Sequence, residues 1–228
     1  MAPPLDLGLP TALILIDNQL AFCHPSTVSH WGSSRSNPLY EGNLQSLLSA
    51  ARDRASLAAS NPVEVIHVFH SSTTPGSPLH PSHPAQGIRP LEFATPAADG
   101  SEPVFWKSVN SSFIGTDLAA HLQDKGIRQL LFAGLTTDHC VSTTVRMAAN
   151  LGVVDGSVDN NAETLGPEGA NQGRVERGRI VLVADATATF AKGGYDAETV
   201  HHVSVASLEG EFADILGTEA VVRALRGV

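Results

Sequence analysis

Residues Gln129–Met147 read QLLFAGLTTDHCVSTTVRM, and the way this stretch divides decides how the rest of the chain is read. Leu130, Leu131, Phe132 and Ala133 form an unbroken apolar run, as a strand buried on both faces requires, and Gly134 ends it. Thr136, Thr137 and Asp138 then offer N-cap chemistry, after which Val141, Val145 and Ala148 recur at helical spacing. Cys140 therefore falls in the first turn of a helix that follows the carboxyl end of a strand. Free backbone N–H groups and the positive end of the helix dipole are expected there to lower the thiol's pKa and to hold an oxyanion.

The same strand-then-turn pattern recurs on either side. Thr11–Ile16, TALILI, is a continuous apolar strand that delivers Asp17 at its carboxyl edge, where an open parallel sheet collects ligands. The following AFCHPSTVSHWGSSRSNP is too rich in Ser, Pro and Gly for a helix and is read as a loop roofing a pocket. Leu44, Leu47, Leu48, Ala51, Ala55 and Ala58 mark an amphipathic helix over Glu41–Ala59, stopped by Pro62 and followed by a strand over Val63–Phe69.

Ser71–Glu102 is proline-rich and irregular, as expected of an ordered surface excursion. Val104–Trp106 makes a short strand that presents Lys107, and Thr116 caps a helix running to Lys125. Further on, Ile180–Ala184 is a buried strand, Asp185–Phe190 a turn, and Asp196–Leu208 a helix with Val200, Val203 and Leu208 inward. Phe212–Leu216 reads as an edge strand and Thr218–Leu225 as a closing helix. Strands alternating with helices specify a three-layer α/β/α sandwich around a mostly parallel, Rossmann-like sheet. Residues 1–228 are read as one domain, with Gly152–Gly178, polar and without periodicity, as an insertion that is flexible or a small hairpin.

Composition narrows the function. A net charge of −9 with no block of like charge argues against nucleic-acid and anionic-membrane partners and favours a small-molecule substrate. Two cysteines in dissimilar surroundings, Cys23 and Cys140, indicate no disulfide framework, and neither a secretory signal nor a long apolar run is present, so a cytoplasmic protein is expected. His67, His70, His80 and His83 match no tight metal-ligand spacing, and no Gly-rich phosphate loop occurs, so neither metal nor cofactor is expected.

Asp17, Lys107 and Cys140 are thus placed at the ends of three strands or in the turns after them. A thiol attacking an amide or carbamoyl carbon needs a base, for which Asp17 serves, and an ammonium to balance the site's charge, for which Lys107 serves. The N–H groups of Thr136 and Cys140 would receive the oxyanion, each such donor being worth about 3 kcal/mol of barrier. Adjacent residues on a helix diverge by about 100°, so His139 is assigned a capping or pocket-rim role rather than a dyad with Cys140. Phe22, Trp31, Asn110, Phe113, Thr137 and His139 are taken as the substrate-binding wall, all from loops at the active edge.

The segments ALILIDNQLAF, FWKSVNSSFIGTDL and AGLTTDHCVSTTVRMAANLG, with HWGSSRSNP, TPGSPLHP and VHHVSVASLEGEFADIL, together resemble the isochorismatase-like cysteine hydrolase superfamily over nearly the whole chain. The resemblance maps that family's Asp–Lys–Cys triad onto Asp17, Lys107 and Cys140, and its non-proline cis bond onto Leu135–Thr136. It also implies a homodimer or homotetramer. Phe69, His70, Ser71 and Ser72 lack the Asp-x-His pattern of nicotinamidases, and the nucleophilic cysteine, absent from several true isochorismatases, is retained. An amide, ureido or carbamoyl C–N bond is therefore favoured. Vinyl-ether hydrolysis releasing pyruvate, and a non-catalytic member of the fold, remain the alternatives.

Overall fold

Six strands form one parallel sheet, and their order places the candidate residues. The structure, a computed structural model, describes residues 2–57, 63–157 and 175–227. The strands are β1 (Thr11–Ile16), β2 (Val63–His70), β3 (Val104–Lys107), β4 (Gln129–Leu135), β7 (Arg179–Ala188) and β8 (Asp214–Leu216), in the order β3-β2-β1-β4-β7-β8. A separate antiparallel pair, β5 (Gly156–Ser157) and β6 (Val175–Glu176), lies within the expected insertion, whose residues 158–174 fall outside the described ones. From β1 the chain winds first towards β3 and then back towards β8. The crevice between β1 and β4 is thus the point where strand order reverses, and there the carboxyl ends of the strands open towards a ligand.

The continuous apolar runs are explained by burial on both faces. Leu13 and Leu15 of β1 join the core beneath α1 (Tyr40–Ser56) and α5 (Thr218–Arg226), while Ala12, Ile14 and Ile16 join the opposite core, beneath α2 (Leu118–Asp124) and α3 (Ser142–Leu151). All of these β1 side chains are fully buried. At about 1.5–3 kcal/mol for each large aliphatic side chain, this central strand anchors both layers. The three-layer α/β/α sandwich expected from the alternation of elements is the observed architecture.

Gly134 does not end its strand. β4 continues through it to Leu135, because the backbone there comes against β1: a Cβ on Gly134 would stand 2.0 Å from the carbonyl oxygen of Ile16. With φ at 122°, only glycine takes this position without strain.

Several boundaries differ from the sequence reading. The expected turn over Asp185–Phe190 is strand as far as Ala188, since Thr187 and Ala188 pair with Gly134 and Leu135 past an irregularity in register. The carboxylate of Asp185 instead reaches the start of α5, accepting the Thr218 N–H at 2.6 Å and its hydroxyl at 2.7 Å. Helix α1 ends at Ser56, leaving Ala55 exposed in its last turn; Ala58 and Pro62 lie outside the described residues. In α4 (Ala197–Ala206), capped by the Asp196 side chain at Thr199 N–H, Val203 faces solvent and His201 is inward instead.

The excursion over residues 71–102 is tied to the chain after β1. Leu20 N–H donates to Arg89 O, Ala21 N–H to Gly87 O, and Leu91 N–H to Asn18 O, each at 2.9 Å. Its far end is stapled by Glu102, whose carboxylate accepts from Arg52 at 2.6 and 2.8 Å and contacts His67 Nε2 at 2.7 Å.

Candidate active site

Strand register explains why Asp17 and Lys107 meet. β1 pairs with β2 so that Ile16 lies opposite Val68, and β2 pairs with β3 so that His70 lies opposite Lys107. Lys107 is therefore two strands from Asp17, with β2 between them, and only a long side chain spans that gap. Its ammonium passes His70 and reaches Asp17 Oδ2 at 2.8 Å. Both side chains are completely buried. Asp17 takes a left-handed backbone conformation, φ 52°, its N–H donating to Val68 O at 2.8 Å. Aspartate tolerates this region better than most residues.

Cys140 arrives from the other side of the crevice. The expected helical first turn is a single π turn, Thr137–Val141, preceding α3, and the Leu135–Thr136 peptide that leads into it is cis. Sγ of Cys140 lies 3.2 Å from Lys107 Nζ and 3.7 Å from Asn110 Oδ1. Burial pushes the Cys140 thiol well above its ordinary pKa, the Asp17 carboxylate adds to that, and Lys107 opposes it. The lowered pKa expected from a helix start is thus overturned, because desolvation and an adjacent carboxylate outweigh the backbone dipoles. Burial and the carboxylate thus favour the thiol over the thiolate. Burial disfavours the Lys107 ammonium as well, yet its interactions, led by that with the Asp17 carboxylate, more than compensate and raise its pKa.

His70 was missed as a site residue. Its Nδ1 lies 3.2 Å from Lys107 Nζ, and donor atoms of Asp17, His70 and Cys140 lie within 4.8 Å of one another. Such a trio has the chemistry of a metal site, but here it converges on the ammonium of Lys107, a cation the chain itself supplies. Reading the histidines for ligand spacing concealed this. Reading each strand for its last residue, as done for Asp17, would have found it.

Asp17, His70 and Cys140 line a cavity of about 430 Å³, with the Lys107 ammonium buried behind them. Of the expected wall, Phe22, Trp31, Asn110 and His139 line it, with Phe22 and Trp31 stacked at 4.5 Å. Phe113 and Thr137 do not. Phe113 packs against the core beneath α3, and the Thr137 hydroxyl is buried between Thr187 Oγ1 at 3.1 Å and His201 Nδ1 at 3.0 Å, securing the turn that carries Cys140. Ser72, Ser77 and Leu79 contribute from the long excursion, and Phe190 and Lys192 from the chain after β7. Lys192 donates to Asp138 at 2.5 Å, and Asp138 also accepts from the Thr189 hydroxyl. Burial works against the Asp138 carboxylate, but these donors hold its pKa below the ordinary value.

The isochorismatase domain model matches residues 11–220. The chain belongs to the isochorismatase family. Among relatives in this family, it is 34% identical over 216 residues to the isochorismatase family protein YrdC of Bacillus subtilis, covering 92% of this chain and 94% of that one. A solved structure from Chromobacterium violaceum, described as a hydrolase of the isochorismatase family, superposes with a TM-score of 0.75 at 32% identity over the full length of both chains. A cysteine hydrolase from Pseudomonas syringae pv. phaseolicola shares the fold, with a TM-score of 0.72 at 22% identity, over 99% of this chain and 96% of that one. Within this isochorismatase-family fold, the buried Asp17 and Cys140 and the half-buried His70 form a grouping consistent with cysteine hydrolase chemistry. Among the described residues, no helix is long and apolar enough to cross a membrane.

Proposed function

We propose that this isochorismatase-family chain hydrolyses a small amide, ureido or carbamoyl C–N bond through a covalent intermediate on Cys140, acting as a single domain over residues 1–228 with 152–178 as an insertion. The observation that carries the reading is the buried ammonium of Lys107 in contact with both the Asp17 carboxylate and the Cys140 sulfur, two groups that line a cavity. Asp17 takes the thiol proton as sulfur attacks the carbonyl carbon, and Lys107, remaining protonated, keeps the charge on the pair balanced throughout.

The carbonyl electrons move onto oxygen, which the N–H groups of Thr136 and Cys140 receive. As the oxyanion collapses, the C–N bond breaks and the proton held by Asp17 passes to the departing nitrogen, leaving a thioester or carbamoyl thiol. Water then attacks this intermediate, giving up a proton to Asp17, and the acid product leaves as the thiol is restored. A thiol held protonated fits this scheme, because the waiting Asp17 carboxylate takes its proton in the same step in which sulfur attacks.

The test is to incubate the protein with a panel of amides, ureides and isochorismate while following ammonia and pyruvate, alongside Cys140→Ala. Ammonia release that disappears in Cys140→Ala, with an acyl adduct on Cys140 in trapped wild-type protein, is the expected result. Pyruvate release that survives Cys140→Ala would replace this reading with vinyl-ether hydrolysis, and silence on the whole panel would favour a non-catalytic member of the fold.

A further inference from the structure

The ammonium of Lys107 has three N–H groups, and three acceptors surround it: Asp17 Oδ2 at 2.8 Å, Cys140 Sγ at 3.2 Å and His70 Nδ1 at 3.2 Å. Its donors are all engaged, so Lys107 has none left for a substrate. An ammonium cannot accept a hydrogen bond, so His70 Nδ1 must be the acceptor, and the proton of the neutral imidazole sits on Nε2. Burial, and then Lys107, lower the His70 pKa, which keeps the ring neutral.

Nε2 has no hydrogen-bond partner among the described residues, yet it is not a buried orphan. His70 lines the same cavity as Cys140. The root of the ring is fixed as well: the Gln19 side chain, itself completely buried, accepts from the His70 N–H at 2.9 Å and donates to its carbonyl at 2.9 Å. A second bond from Gln19, 2.7 Å to Ile88 O, ties this arrangement to the excursion that walls the cavity. A donor of fixed tautomer therefore belongs to a residue that lines the same cavity as the sulfur.

We infer that His70 is a further catalytic residue: its Nε2–H, set by Lys107 on the opposite ring nitrogen, donates to an oxygen of the substrate bound beside Cys140 and so selects substrates bearing a carbonyl or carboxylate there. The inference rests on the cysteine-hydrolase reading and deepens it. A neutral imidazole in this role gives a hydrogen bond without surrendering its proton, so the proton traffic stays with Asp17.

Alkylation of Cys140 by two small reagents tests it, with iodoacetamide carrying a carbonyl oxygen and iodoethane carrying none. Rates at Cys140 are read by peptide mass spectrometry, separately from Cys23, on the folded fraction isolated by gel filtration. In His70→Asn the amide occupies the place of Nδ1 and can still meet Lys107, but the donor at Nε2 is gone. In His70→Gln the amide nitrogen extends to the place of Nε2 and restores the donor. The expected result is that the iodoacetamide-to-iodoethane rate ratio falls about fivefold in His70→Asn and stays within about twofold of wild type in His70→Gln. An unchanged ratio in His70→Asn, or a larger loss in His70→Gln than in His70→Asn, would overturn the inference and leave His70 as a support for Lys107 alone. Absence of any acyl adduct on Cys140 after incubation of the unaltered protein with the amide and ureide panel would remove the cysteine-hydrolase reading and this inference with it.

Discussion

Asp17→Asn leaves a buried ammonium without its carboxylate, and the surrounding groups determine how much that costs. Both side chains of the pair are 0% exposed, so water cannot rescue the charge. Breaking such a pair costs about 3–5 kcal/mol. Two responses limit the loss. Lys107 can fold deprotonated: from an ordinary pKa of 10.5, that costs about 5 kcal/mol at pH 7. Alternatively Cys140, 3.2 Å from the ammonium, can ionise and replace the lost counter-charge: from an ordinary 9.0, that costs about 3 kcal/mol. The second route is cheaper, so Asp17→Asn is expected to lose about 3 kcal/mol in the natural background but about 5 kcal/mol when combined with Cys140→Ala.

The pH dependence carries the same information with a definite sign. In the wild type the Lys107 pKa is raised, so its contribution is complete below 10.5 and is lost as pH climbs through the folded value. In Asp17→Asn with Cys140→Ala, the folded chain holds a neutral lysine while the unfolded chain binds a proton, so stability instead rises by about 1.4 kcal/mol per pH unit from pH 7 until it levels near 10.5. In Asp17→Asn alone the rise levels near 9.0, where the unfolded thiol ionises. Urea unfolding followed by circular dichroism between pH 6 and 10, with thiolate ultraviolet absorbance in the single variant, measures all of these. Equal penalties in the two backgrounds, or penalties below about 1 kcal/mol in both, would refute the buried three-way contact.

Gly134→Ala is expected to cost more than about 3 kcal/mol and to lower soluble yield sharply, because its Cβ would meet backbone atoms of β1 that cannot move aside. Gly76→Ala is the control, with φ 85° but nothing within 4 Å, and should lose only about 1 kcal/mol; comparable urea midpoints for the two would discredit the β1–β4 approach. At the staple on the long excursion, burial opposes the Glu102 carboxylate, but hydrogen bonds from Arg52, His67 and the Ala97 N–H outweigh it and bring its pKa to about 2. Its stabilisation should be complete above the ordinary 4.5 and vanish as pH falls towards 2, so wild type and Glu102→Gln should converge in urea midpoint across that window. Parallel curves would mean that the staple contributes nothing.

The sequence was most informative wherever chemistry coincided with the end of an apolar run. TALILI followed by Asp17, and VFW followed by Lys107, put a charged side chain directly after a stretch that only a buried strand explains, so both could be placed at one sheet edge without coordinates. His70 closes β2 in the same way, yet it lies among histidines weighed only as metal ligands and set aside because their spacing fits none. What gives it a role is its register opposite Lys107, a relation between strands that no spacing along the chain encodes. Phe113 and Thr137 failed for the converse reason: both lie next to the reactive groups in sequence, but their side chains point into the core and into a hydroxyl relay instead of the cavity. The thiol's pKa failed because a helix start was weighed without its burial. β1, β2 and β3 each bring one polar group to the same level of the sheet, and β4 leads through the Thr137–Val141 turn to the sulfur. Since β2 lies between Asp17 and Lys107, a side chain crossing it must pass whatever residue ends that strand. The imidazole of His70 therefore belongs to the same architectural constraint as the ion pair, and a variant that shortens Lys107 disturbs both at once.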